Sequence, residues 1–425
     1  IMMISYKYLL LFFNLNLTRG FRLGFVWLPL GSKTSLPSIS PLKIANKKYV
    51  IWKNSKNEKW SVLRDVCSHR LAPLSRGRID ETSGCIECPY HGWQFKESGE
   101  CVKVPQAKKS ETGKNVNSIK VMETGDILWG DFEIDGMDGF YEKPNKIYPE
   151  LDNVNHVISR ELPYSFYFLV ENFMDPAHIP FAHHGLQGKR SDGINIPMKV
   201  LSTISDSKKL EIHFEDRIMG KMRKGVVSFV SPAYYHFRVK NEETGVYQKQ
   251  LMDLITPVSD HKSRIHLVFL GASVPNKLPK WISHSFANKF LETDIWLHDC
   301  EISANSELIS NKTVLDLYDT PTSSDIGPIS WNKWWKKHLS DVPIFSNNYD
   351  NKIVELSPKQ QKDRTKHIES CLDCQKALKV SKKLKYGSYI FLLAFKRNPI
   401  VSLISFLMIR FVSKVINNLV YGEMS

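Results

Sequence analysis

The chain has 425 residues, more than one hydrophobic core usually fills, so two or more domains are expected. Apolar residues make up 42% and charged residues 24%, the balance of a soluble globular protein with a sticky end. The net charge is +14, but no basic stripe interleaved with aromatics singles out nucleic acid, and 7 cysteines in so long a chain do not make a disulfide scaffold.

The first 24 residues carry a short apolar run, YLLLFFNLNL, after Ile1. It is too short to span a bilayer and lacks a small-residue cleavage site; a transit remnant, an untidy gene start and a buried strand all remain open. From 25 to 137 the β-like runs YVIWKN, WSVLRDV, GCIECPY and WQFKESGE predict a small all-β domain. Between them lie two clips, Cys67-x-His69 and Cys88-x-x-His91, separated by 18 residues, with Gly92 and Trp93 closing the second. Cys2His2 also suits zinc, and Cys85 with Cys88 makes a C-x-x-C knuckle. The clips, however, are turns between strands, each with its own Pro or Gly, which is the arrangement of a Rieske [2Fe-2S] centre. There Cys67 and Cys88 hold one iron, and His69 and His91 hold the other and raise its potential above that of an all-cysteine cluster. No further cysteine sits within either clip, so the extra disulfide of the respiratory Rieske proteins is missing. Cys85 and Cys101 read as small buried thiols.

Residues 138–155, which bear Pro and Gly, read as a linker. Over 156–340 the runs KLEIHFEDRI, GVVSFVSP, YYHFRVKN, YQKQLMDLITP and RIHLVFLGAS predict an antiparallel sheet with helices before and after it, a helix-grip arrangement suited to a large apolar pocket. Phe173, Phe181 and Tyr235 are candidate pocket residues, although aromatic residues at these spacings also build cores. A cluster that carries one electron at a time needs an acceptor. YFLVENFMDPAHIPFAHHG offers His178 and His183, just after Asn172 and Asp175, as two donors of a facial triad on a mononuclear non-haem Fe(II), with His184 as the alternative to His183. The third donor comes from FANKFLETDIWLHDCEISANSELI, which reads as one helix; Asp294 is favoured and Asp299 is the runner-up.

In segment 341–385, Cys371 and Cys374 form a lone C-x-x-C. A full zinc site there needs His367 and another ligand, so a redox-active dithiol is the preferred reading, beside two idle thiols. The tail over 386–420 holds YIFLLAF and IVSLISFLMI, broken by Lys396 and Arg397 and preceded by the basic stretch 376–385. Each run falls short of the ~20 residues of a straight span. An interfacial or re-entrant membrane anchor is expected, against a hydrophobic helix pair docked on the body.

The Rieske clips, NFMDPAHIPFAHHG, PTSSDIGPISWNKWW and the late HIESCLDC together resemble the pheophorbide a oxygenase family of plants and cyanobacteria, from about Val26 to beyond Cys374. That family includes cell-death suppressors, chlorophyllide a oxygenase and Rieske proteins of the plastid translocon. The resemblance implies an α+β fold: an N-terminal all-β Rieske domain, then a helix-grip catalytic domain, a C-x-x-C segment and a hydrophobic tail. It implies Cys67, His69, Cys88 and His91 as cluster ligands, and His178, His183 and Asp294 as iron ligands. The family's usual Gln-Asp is Thr293-Asp294 here, which loosens the last assignment. Asp175 would be a bridging carboxylate in a head-to-tail homotrimer, in which one subunit's cluster feeds its neighbour's iron; capping the turn that carries His178 is its other reading. Asn172 stands with Asp175 as a candidate catalytic residue. The implied activity is a monooxygenase drawing electrons from reduced ferredoxin and using O2 on a tetrapyrrole. Pheophorbide a comes first and chlorophyllide a or protochlorophyllide a second, with a redox component of a plastid-envelope translocon as the alternative. Thioredoxin is the implied partner of the dithiol. The implied location is a chloroplast envelope or thylakoid, or a cyanobacterial membrane.

Overall fold

The computed structural model describes residues 23–108, 112–135, 142–269, 278–308, 313–345 and 353–422. The apolar run at 8–17 and the start of the expected linker, 138–141, lie outside the described residues.

The N-terminal part is all β. Strands β1 (Leu23–Ser32), β2 (Ile39–Ile44), β3 (Lys47–Lys53), β4 (Trp60–Arg64), β9 (Ser118–Thr124) and β10 (Ile127–Asp135) form one antiparallel sheet in the order β1-β10-β9-β4-β3-β2. Tyr49 to Trp52 are buried on both faces, which is why YVIWKN reads as an unbroken apolar run rather than an alternating one. The strands expected around the clips are far shorter than their sequence runs. β5 (Arg78–Ile79), β6 (Ile86–Glu87), β7 (Gln94–Phe95) and β8 (Cys101–Lys103) make a small sheet whose loops, rather than its strands, carry the clips.

The second sheet has the order β11-β17-β16-β15-β14-β13-β12: β11 (His156–Leu162), β12 (Met198–Val200), β13 (Lys209–Ile218), β14 (Lys221–Val230), β15 (Tyr234–Lys240), β16 (Tyr247–Ser259) and β17 (Lys262–Phe269). Along β13, Leu210, Ile212, Phe214 and Asp216 are buried and their neighbours are not, the period-two pattern of a strand with one face on a core. The two sheets are joined through the two-residue turn between β2 and β3. Ala45 and Asn46 both adopt positive φ, and their N–H groups donate to Pro257 O and Val258 O of β16 at 3.0 Å each.

Helix α1 (Phe166–Phe173) is buried nearly all round, because it is gripped between the curved sheet and a later helix. Ser165 caps it, and the Ser165 N–H donates at 2.8 Å to Glu301, a carboxylate with no exposed surface. Trp331 of the later helix, Ile326–His338, donates its indole N–H to Tyr167 O at 3.1 Å and locks the grip.

The segment expected as one helix around Asp294 is two. Helix α2 (Lys280–Leu291) gives way to a 3-10 turn at Glu292–Asp294 before α3 (Leu297–Glu307) begins. Thr293 is the local cause: its hydroxyl bonds back to Phe290 O at 2.6 Å, a competition with the helix ladder that bends helices. The tail also differs from expectation. Its second apolar run continues through Arg410 and Lys414 into α6 (Pro399–Tyr421), which is long and apolar enough to cross a membrane, with a mean hydropathy of 1.8. It folds back against α5 (Leu372–Ala394), and Asn398 caps the turn with Pro399 at the first helical position.

Candidate active site

The two clips share one backbone design. In the first, Cys67 N–H donates to Ala72 O at 2.8 Å and Leu71 N–H to Cys67 O at 3.0 Å; in the second, Cys88 N–H donates to Trp93 O at 2.8 Å and Gly92 N–H to Cys88 O at 3.1 Å. The fourth residue after each cysteine, Leu71 or Gly92, lies in the left-handed region at φ +60° or +71°. Each loop therefore aims a buried thiol inward, with Cys67 at 1% and Cys88 at 3% exposure and no disulfide between them, and sends its histidine toward the surface. The His69 and His91 rings lie 4.6 Å apart, and His69 stacks on Trp93 at 4.6 Å. His69 Nδ1 is buried without a partner. A pair of buried thiols and a pair of outer imidazoles, held by matched loops, is a donor set that fits a [2Fe-2S] cluster with mixed ligands. Cys85 and Cys101 are buried as well, their thiols directed to Ser83 O and Lys103 O, with Cys101 packed in the same hydrophobic cluster as Cys67 and Cys88.

The second site lies under α1. His178, His183 and Asp294 bring one ligand atom each to within 4.8 Å of one another. The two Nε2 atoms are 3.3 Å apart, and Asp294 Oδ2 is 3.4 Å from His183 Nε2 and 4.0 Å from His178 Nε2. Hydrogen bonds on the far side of each ring settle the tautomers. His178 Nδ1–H donates to the carbonyl of Asp175. His183 Nδ1–H donates at 2.7 Å to the Thr293 hydroxyl, whose own proton is committed to Phe290 O. Both Nε2 atoms thus present lone pairs, which cannot hydrogen-bond each other, to a carboxylate whose Oδ1 is buried without a partner. Burial, reinforced by His178, holds His183 down to about 3, and burial pushes Asp294 up; with no cation present both groups are driven toward their neutral forms. A divalent cation would accept the lone pair of the neutral imidazole and favour the ionised carboxylate, so the donor set fits Fe(II).

Asn172 Nδ2 donates to Asp294 Oδ2 at 3.2 Å and orients the carboxylate. Asp175 Oδ1 accepts from Ala177 N–H at 2.8 Å, so it does cap the short turn that carries His178. The alternatives fall away from the site. His184 is exposed and its Nδ1 accepts from Arg190 N–H, while Asp299 is exposed and bonded to Gln361. Thr293 was legible only as a departure from a family pattern; its role in orienting His183 appears once the turn is folded. Glu292, beside it, is clamped by Arg160 at 3.3 Å and by Arg364 at 2.6 Å.

The three donors open onto a cavity of about 800 Å³, within the usual range for a bound small molecule. Its walls are mainly apolar, with Phe173 and Tyr235 among them, as expected, together with Phe237, Leu267 and Phe290. Phe181 does not line it; that ring is exposed beside Gly193. Asp253 does line it, although it is fully buried and neither of its oxygens has a partner, and burial holds its carboxyl well above the usual range.

Comparison with known proteins agrees with these two sites. The Rieske [2Fe-2S] domain family matches residues 26–122. The rice pheophorbide a oxygenase, chloroplastic (Oryza sativa subsp. japonica), is 30% identical over 391 residues, covering 83% of this chain and 72% of the rice protein. The chain belongs to the pheophorbide a oxygenase family of Rieske non-haem iron oxygenases. Flavonoid 8-hydroxylase 2 of Ocimum basilicum is 27% identical, covering 85% of this chain and 75% of that protein. Protochlorophyllide-dependent translocon component 52 of Arabidopsis thaliana is 28% identical, covering 79% and 70%. Among solved structures, dicamba monooxygenase bound to dicamba superposes with a TM-score of 0.56 at 15% identity, covering 73% of this chain and 96% of that one, a likeness of fold. This family member is an oxidoreductase whose cofactors are a Rieske cluster and a mononuclear non-haem iron, and membership implies a ferredoxin donor, O2 and an organic substrate.

Thr293→Val keeps the side chain's size but removes both the acceptor of His183 Nδ1–H and the hydroxyl bond to Phe290 O. A loss of about 10–100-fold in affinity for the mononuclear iron is expected, with the cluster's electron paramagnetic resonance signal unchanged; Thr293→Ser should restore the affinity. Iron analysis of both variants after dialysis against a chelator checks this.

Proposed function

We propose that the chain oxygenates a chlorophyll-derived tetrapyrrole, pheophorbide a first among the candidates, at an iron held by His178, His183 and Asp294, with electrons arriving through a cluster held by Cys67, His69, Cys88 and His91. The observation that carries this reading is the convergence of the three donors on the floor of a large, mainly apolar cavity. The cluster supplies single electrons, and an iron with a two-histidine, one-carboxylate set retains open positions for O2. The chain's own residues do the rest. Thr293 and the Asp175 carbonyl fix the two imidazole tautomers, Asn172 holds the carboxylate, and apolar walls take up a flat ring while keeping water out. Asp253, whose carboxyl burial pushes toward its protonated, hydrogen-bond-donating form, stands in a mainly apolar wall and suits a carbonyl oxygen on the ring's edge. Pheophorbide a carries such an oxygen, and the likeness to the rice pheophorbide a oxygenase supports the same choice.

Electron transfer between subunits of a head-to-tail trimer belongs to the same proposal. His69 and His91 sit at a tip where Leu71 is 74% and Tyr90 59% exposed, and among the described residues no member of either clip lines the iron cavity. Asp175 lines that cavity and is partly exposed, a placement that suits contact with a neighbour's cluster histidine.

The α5/α6 hairpin supports a membrane surface in a plastid. Its base is bolted to the body, with Arg364 donating to Asn418 O at 2.6 Å, while Ile390, Leu393, Leu403 and Phe411 are exposed toward its tip. Lys376, Lys379, Lys382, Lys383 and Lys385 lie along the half of α5 nearer the body, where anionic headgroups would meet them. A chain lacking 386–420 should remain in the supernatant with vesicles of anionic lipid that sediment the full chain; equal partitioning would remove the anchor.

The deciding experiment supplies anaerobically purified protein with reduced ferredoxin and labelled O2 and offers pheophorbide a, chlorophyllide a, protochlorophyllide a and a flavonoid. Label should enter pheophorbide a. Label in the flavonoid alone would overturn the tetrapyrrole, and turnover of none by protein holding both kinds of iron would favour a redox role of the translocon type. In the same assay, mixed His91→Ala and Asp294→Ala chains should regain activity that neither has alone; no regain would exclude transfer between subunits.

A further inference from the structure

The C-x-x-C of the tail does not stand alone. Cys371 and Cys374, at the start of α5, meet His367 from the helical turn Thr365–Glu369 and His284 from α2, and all four side chains are buried. Each offers one donor atom within 4.8 Å of the other three. His284 Nδ1 lies 3.4 Å from Cys371 Sγ and 3.4 Å from Cys374 Sγ, and His367 Nε2 lies 3.3 Å from Cys374 Sγ. We propose that these residues form a structural zinc site, Cys2His2, that staples the tail to the catalytic domain.

Three observations carry it. Zinc–sulfur and zinc–nitrogen bonds of about 2.3 and 2.0 Å set a sulfur–nitrogen edge of about 3.5 Å in a tetrahedron; the sulfur–nitrogen distances observed, 3.3 and 3.4 Å, match that edge. The orientation of His367 is also that of a ligand: its Nδ1–H donates at 2.9 Å to Ser159 O, which leaves the Nε2 lone pair facing the thiols, as histidine ligands are ordinarily oriented by a carbonyl on the far nitrogen. Finally, Cys371 is 3% and Cys374 2% exposed, beneath α2 and the base of the hairpin. Exchange with a thioredoxin requires an attacking thiolate to reach one of these sulfurs. The motif's sequence favours a dithiol, whereas its surroundings favour a metal, because the two histidines that complete the set come from 4 and 87 residues before Cys371.

The staple sits at a junction. The turn that holds Cys371 also ties to the cluster domain, where Leu372 N–H donates to Ser35 O at 2.7 Å and Ser35 Oγ–H to Asp373 at 2.9 Å. The helix that provides His284 runs on to Phe290, Thr293 and Asp294. A metal here would therefore pin the cluster domain, the approach to the iron site and the root of the hairpin at one point.

The test uses the full chain, purified anaerobically without added metal. Elemental analysis should find about one zinc per chain beside the iron, and X-ray absorption at the zinc edge should fit two sulfur and two nitrogen neighbours. Cys374→Ser and His284→Gln should each lose most of that zinc while retaining the cluster's resonance signal. If neither variant folds, the wild-type absorption spectrum decides alone. Cluster-replete protein that lacks zinc, or zinc with no sulfur neighbours, would overturn the site; a Cys371–Cys374 disulfide that equilibrates with thioredoxin in the folded protein would overturn it in favour of the dithiol.

Discussion

The structure depends on crowding lone pairs at the largely buried floor of a cavity. His178 Nε2, His183 Nε2 and the Asp294 carboxylate face one another under α1, and no proton shared among them satisfies all three. Buried polar atoms without partners are costly. A chain keeps such an arrangement only if a cation completes it, and the bonds behind each ring are there to maintain it. The pKa shifts point the same way, because burial holds His183 in the neutral form that a cation binds and disfavours on Asp294 the charge that a cation would restore.

The supports of that cluster come from distant parts of the chain and meet at the break between α2 and α3. Thr293 both bends the helix and orients His183. Glu292, one residue earlier, anchors the turn between Arg160 of β11 and Arg364 near the tail. Removing one member of such a buried ionic group usually costs about 3–5 kcal/mol, because the remaining charges lose their partner. Arg364 then reaches the root of the hairpin through Asn418 and Val420. The tail and the iron site are thus mechanically continuous through the turn that presents Asp294.

What could be read in advance follows from how local each feature is. The Rieske clips were legible because a cysteine and its histidine lie within one tight loop, so their spacing alone sets the geometry. Strand β13 was legible from period-two alternation, whereas β14 and β15, buried in unbroken runs, were legible from their β-branched and aromatic residues. The choice of Asp294 over Asp299 rested on its place at the apolar start of the segment, and in the structure Asp294 is buried while Asp299 is exposed. The break in the helix was not visible, because Thr293 is an ordinary helix residue until its hydroxyl competes for Phe290 O. His284 was not visible either: a lone histidine in WISHSFANK has no signal until the fold brings the C-x-x-C against it. In the tail, Arg410 and Lys414 interrupt the apolar run in sequence without interrupting the helix, which made α6 look short.

The account stands or falls on which side chains hold an iron that small molecules can reach. Nitric oxide added to the anaerobically reduced protein reports that directly, since it binds an iron with an open position and leaves the cluster's own signal in place. A high-spin iron–nitrosyl resonance is expected in the wild type and in Asp299→Ala, and its loss is expected in Asp294→Ala with the Rieske signal intact. A resonance that survives Asp294→Ala, or its absence from wild-type protein loaded with iron, would contradict the account.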